Sequence, residues 1–185
     1  METMSTKRLA LSLVLSMLTM TAGHASAQSS TGAQPFNNDT VSAFTMTSDL
    51  SISVFAQRTE SPLGTNGFAV INVFDFSTFM FSQCVTSNFD LRISNARATL
   101  SFTTDGGFNC SSGQPVAVTC QPTSQSGVFH NVTNGTANIP VFDQRYTTHG
   151  LIDSFTNLSC ALTVSGTQYP NASGGASTER LNTTP

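Results

Sequence analysis

Three histidines, His24, His130 and His149, are the side chains best suited to proton transfer near neutral pH. His130 falls in an alternating apolar stretch and His149 in a polar one beside Gly150, with Asp143 and Asp153 close by in sequence. A carboxylate beside an imidazole can fix its tautomer for acid–base work, or the two can share a metal ion. Hydrolase chemistry has no local signature, because no Ser sits in a G-x-S-x-G elbow and no H-E-x-x-H occurs. Asp39, Asp49, Asp75, Asp90 and Asp105 stand singly, without the dense odd-position series of a calcium loop. Asp75 interrupts an apolar run, which suits a turn. Sugar-binding modules offer flat Trp or Tyr faces; here Trp is absent, and Tyr146 and Tyr169, both in loop-like context, are the candidate ligand contacts.

His24 has a separate use. Cleavage of a leader after Gly23 would make it the amino terminus, and a terminal amine, its imidazole and a second His resemble the histidine brace of copper-dependent polysaccharide monooxygenases. The resemblance rests on that one residue. It implies copper, a polysaccharide substrate and a secreted β-sandwich.

The segment that would carry such a leader has three parts: Lys7 and Arg8, an apolar run from Leu9 to Met20, and small residues ending in Ala25-Ser26-Ala27. That is the layout of a secretory signal peptide over residues 1–27, so the mature chain is expected to be extracellular, or periplasmic in a Gram-negative source. No later segment approaches about 18 uninterrupted apolar residues, which leaves no helical membrane span. The only Lys of the chain is Lys7, and five Arg follow the leader: Arg58, Arg92, Arg97, Arg145 and Arg180. Scattered Arg cannot displace phosphate counterions as a basic cluster does, so nucleic acid is not an expected partner.

Cys84, Cys110, Cys120 and Cys160 follow a secretory leader in even number, which predicts two disulfides and argues against a metal site. Cys110 and Cys120 flank a turn-like segment between two strands, so they are the easiest pair to join, leaving Cys84 to Cys160 by elimination.

The elements that must hold these residues read as strands. Gly67 to Cys84 is the most apolar and aromatic run, rich in Phe and β-branched residues, and its length predicts a break near Ser77 and Thr78. Leu50, Ile52, Val54 and Ala56 alternate with Ser51, Ser53, Phe55 and Gln57, and Leu91 and Ile93 alternate with Asp90 and Arg92. Ala98, Leu100 and Phe102 alternate with Arg97, Thr99 and Ser101, and Leu158, Cys160, Leu162 and Val164 keep the same period of two. Val116 to Cys120 and Val128 to Val132 suggest two further strands. Arg58 to Gly67, with its Asn66-Gly67 pair, reads as a loop; Asp105-Gly106-Gly107 and Asn134-Gly135 read as turns. Gln144 to Asn157 reads as a loop with at most one helical turn, and Asn171 to Pro185 lacks a core pattern and reads as disordered.

These features predict an all-β fold: an antiparallel β-sandwich, Ig-like or jelly-roll-like, of about nine short strands stapled by two disulfides. The domain is expected over residues 40–170, after a flexible lead at 28–39. The expected function is that of a secreted, non-catalytic binding, surface or structural module for an unknown extracellular ligand or protein, with no cofactor. Two alternatives stand beside it: an extracellular polysaccharide-active enzyme with histidine metal ligands, and a surface subunit that assembles by completing sheet edges.

Overall fold

A computed structural model describes the backbone of residues 34–61, 64–139 and 144–184, and the side chains of these residues except 34–35, 131–139, 144–149, 151 and 181–184. The leader, His24, Asp143 and residues 28–33 of the lead lie outside the described residues. Eleven strands follow in order: β1 Gln34–Met46, β2 Leu50–Ser61, β3 Gly64–Asp75, β4 Met80–Thr86, β5 Phe89–Ser94 and β6 Arg97–Thr103. They continue with β7 Gly107–Phe108, β8 Pro115–Gln121, β9 Gly127–Ile139, β10 Gln144–Val164 and β11 Thr167–Thr184.

All pairings are antiparallel, in one sheet of order β5-β6-β8-β10-β11-β1-β2-β3-β4-β7, with β9 also pairing β10. The sheet folds over itself, so that β5 packs across β1 and β11 and the two halves face each other as a sandwich. In β1, β2, β3, β5, β6, β8, β11 and in β10 from Leu158 on, alternate residues point into the space between. Val41, Ile52, Ile71, Leu91, Leu100, Val118, Leu158 and Leu162 are almost fully buried there. Period-two alternation therefore positions the core as the sequence implies, and the break of the central run falls between Asp75 and Met80. Asp75 Oδ1 closes that turn by accepting from Ser77 N at 2.8 Å, Ser77 Oγ at 2.6 Å and Thr78 N at 3.2 Å.

The disulfide pairing corrects the expectation. Cys84 joins Cys110, and Cys120 joins Cys160. Cys120 and Cys160 are direct cross-strand partners on β8 and β10, with Cα atoms 4.1 Å apart. Cys110 instead follows β7, which pairs with β4 at Cys84↔Gly107. From Pro115 the extended β8 carries Cys120 roughly 17 Å further from the Cys110 end, so those two cannot meet.

Five other expectations change. Asn171 to Pro185 is not a disordered tail, because β11 runs through Thr184 as a central strand between β10 and β1. Its inward residues are small: Ala172, Gly174 and Ala176. A Cβ at Gly174 would collide with the Ser42 carbonyl and with Cys160 Sγ, so glycine lets β11 pass beneath the disulfide. The segment 144–157 is strand, and β9 passes straight through Asn134-Gly135 without turning. The expected loop from Arg58 to Gly67 narrows to residues 62–63, which lie outside the described residues, because β2 and β3 pair as far as Ser61↔Gly64. The lead likewise becomes strand from Gln34.

Candidate functional site

The inward face of the sheet changes character toward one end. The cross-strand register places His130, Asp153, Thr178, Asp39 and Arg58 side by side on β9, β10, β11, β1 and β2. One step deeper, the same strands contribute Val128, Phe155, Ala176, Val41 and Ala56, which belong to or border the apolar core. A polar row thus lies directly on a hydrophobic floor.

Asp39 anchors the row. Its side chain is 3% exposed and accepts hydrogen bonds from Thr178 Oγ1 at 2.7 Å, Arg180 Nη1 at 2.8 Å and Arg58 Nη2 at 2.9 Å. Burial pushes this carboxyl's pKa up, but the Arg180, Thr178 and Arg58 bonds outweigh burial and hold it below the ordinary value. Arg58 and Arg180 are thereby fixed beside a buried anion. Glu60 adds a partner, its Oε1 3.3 Å from Arg58 Nε, and accepts from Asn37 Nδ2 at 3.4 Å.

At the open end of the row, His130 Nδ1 lies 2.6 Å from Asp153 Oδ1. His130 is 66% exposed and Asp153 22%. Because Nδ1 is engaged, Nε2 is the nitrogen left to exchange a proton or meet a ligand. The β5–β6 turn lies opposite. Asn95 and Ala96 both adopt positive φ, 51° and 61°, the backbone of a tight two-residue hairpin. Together these groups line a cleft of about 470 Å³: Ile93, Ser94, Asn95 and Ala96 from the turn, Val128 and Phe155 below, and His130, Asp153, Thr178 and Arg180 along the wall.

Of the residues singled out in the sequence, His130 and Asp153 are brought together. His149 is not with them. It opposes Asn134 while His130 opposes Asp153, four residues away along both strands and therefore about 13 Å apart. No group of three or more His, Cys, Asp or Glu side chains could hold a metal among the described residues. Tyr146 stands opposite Ala137 on β10, and its side chain is not among those described. Tyr169 lies at the opposite end of the sandwich, where it lines a smaller cavity of about 300 Å³ with Leu50, Ile52, Ile71, Val73 and Val164, beside the Cys84–Cys110 disulfide.

Sequence reasoning missed Asp39, Arg58, Thr178 and Arg180. Parity was the available signal: Asp39 keeps the period of Val41 and Ala43, and Arg58 that of Val54 and Ala56. Thr178 and Arg180 had no such neighbours.

Fold and disulfides define an all-β, disulfide-bonded protein, and among the described residues no helix is long and apolar enough to cross a membrane. A solved structure from Nitrosomonas europaea, provisionally described as an AttH protein, superposes with a TM-score of 0.41 at 12% sequence identity. The match covers 83% of this chain and 52% of that one, so the chain spans about half the length of that protein. No family model matches the sequence, and no curated protein matches it.

Proposed function

We propose that the protein is an extracellular, non-catalytic binding module whose ligand occupies the cleft beneath the β5–β6 turn. One observation carries this reading: His130, Asp153 and Arg180 converge on a cavity of about 470 Å³ whose floor is Val128 and Phe155. Ligand sites combine an apolar surface with a few fixed polar groups in this way. The fitting ligand is a small organic anion with an apolar body. Its body would cover the floor, and its carboxylate would take donors from Arg180 and the imidazole while Asp153 orients the ring.

The test is two-dimensional NMR of the disulfide-closed chain titrated with a panel of small aryl and alkyl carboxylates. Shifts are expected at Ile93, Ala96, Val128 and His130, and they should vanish in Arg180→Gln and His130→Ala. A panel that moves none of these resonances overturns the reading.

The enzyme alternative keeps one specific observation, the 2.6 Å His130–Asp153 pair. An Asp-oriented imidazole is a general-base arrangement. Polysaccharide turnover lost in His130→Asn would move that alternative ahead.

A further inference from the structure

A solvent-facing sheet normally carries polar side chains, but the outward face of β1–β4 carries aromatic ones. Register aligns them in rows. Met46, Ser51, Phe74 and Phe81 form the first, and Ser42, Phe55, Val70 and Val85 form another two steps along. Between them run Phe44, Ser53, Asn72, Gln83 and Phe108. Rings pair across the face: Phe55 with Phe68 at 5.7 Å, Phe74 with Phe76 at 5.2 Å and Phe81 with Phe108 at 6.4 Å. Met46 is 65% exposed, Phe108 63%, and Phe79 in the adjoining turn 80%.

We propose that this face packs against the same face of a second copy of the chain, forming a two-fold sheet-on-sheet dimer. Area supports it first. With the exposed fractions of Phe44, Phe68, Phe81, Val85 and the β3–β4 turn included, the exposed apolar surface is roughly 900 Å² at ~200 Å² per fully exposed large side chain. A typical monomer tolerates a patch of about 300–600 Å², and a stable complex buries about 800 Å² per partner.

Charge supports it second. The three rows contain no Asp, Glu, Lys or Arg, so apposing two copies brings no like charges together. A face without charge also has no electrostatic means of selecting a different partner. The central polar row is prepared for burial. Asn72 Nδ2 donates to Ser53 Oγ at 3.3 Å and Gln83 Nε2 donates to Asn72 Oδ1 at 2.8 Å, so these groups partner one another. This contact is face to face and leaves the sheet edges unused, unlike assembly by strand addition.

Sedimentation equilibrium of the disulfide-closed chain across ~1–100 µM is the test. The expected result is a reversible dimer with Kd of ~10 µM or tighter, unchanged between ~0.05 and ~0.5 M salt because no ion pairs form. Phe44→Glu and Phe108→Glu should each weaken it by ~10-fold or more. They lie on separate strands, so either one suffices if the other does not fold, and the melting temperature reports which has folded. Arg97→Glu, on the opposite layer, should leave association unchanged. A monomer at ~100 µM overturns the proposal. A dimer indifferent to both Phe substitutions overturns it as well.

Discussion

Asp39 is an anion at the edge of an apolar core, and its ionisation should be visible in stability. Two guanidinium groups and a hydroxyl hold its carboxyl below the ordinary value of 3.8. A depressed carboxyl favours the ionised fold, so its contribution is complete above that value and is lost as pH falls through the native pKa. The chain should lose stability below about pH 4, and Asp39→Asn should flatten that acid limb in urea titrations at a series of pH values. At neutral pH the same change leaves Arg180 without its anion and Arg58 with Glu60 alone. It should cost roughly 2–4 kcal/mol, toward the lower end because both guanidinium groups reach solvent. Asp75, partly buried, is also held below the ordinary value, by the hydroxyl and backbone N–H of Ser77. Asp75→Asn provides the comparison, and an acid limb unchanged in Asp39→Asn would refute the assignment. Little of this was legible in sequence. A lone charged residue at the end of an alternating run reads as the end of the strand, which is why Asp39 fell in the lead and Arg58 in a loop. His130 and Asp153 were legible as residue types, but their contact depends on a β9–β10 register that spans 23 positions.

Single strands show the same limit more sharply. The strands with large alternating side chains were readable because burial of Ile, Leu, Val and Phe dictates parity. β11 was not, since its inward set of Ala172, Gly174 and Ala176 has the composition of a flexible tail. Smallness there is a packing requirement. Gly174→Ala should therefore destabilise instead of reducing chain entropy, by ~1–3 kcal/mol, because its methyl meets the Ser42 carbonyl and Cys160 Sγ. Thermal unfolding would decide, and a neutral result would mean β11 can shift away from the disulfide. Disulfide pairing was illegible for a related reason: a short separation suggested Cys110 with Cys120, but β8 is extended and moves its two ends apart. The Cys120–Cys160 bridge closes a separation of 40 residues and Cys84–Cys110 one of 26. Chain-entropy arguments give ~4 and ~3.5 kcal/mol for loops of that size, so Cys120→Ala with Cys160→Ala should lower stability at least as much as the other pair. Peptide mapping without reduction checks the pairing directly.

At the scale of the whole molecule, the strand order makes β11 the joint of the sandwich. Among the described residues, one half of the sheet, β5-β6-β8-β10, is joined by strand hydrogen bonds to the other, β1-β2-β3-β4-β7, through β11 alone. β1 meets β11 from Gln34↔Thr183 to Phe44↔Ser173, so the first and last strands of the described chain must find each other before the sheet is continuous. Loop closure over that separation precedes any gain from core burial, and topologies dominated by such pairings fold in milliseconds to seconds. A chain stopped at Ser165 tests the arrangement. A dispensable tail would leave folding intact. A joint strand would expose the edges of β10 and β1 together, uncover Val41 and Leu158, and remove the partner of Asp39 at Thr178. The truncated chain should therefore lack the near-ultraviolet circular dichroism of packed Phe and Tyr and fail to close both native disulfides. Native-like dichroism together with correct pairing in that chain would show that the two halves hold together without β11, contrary to a single continuous sheet.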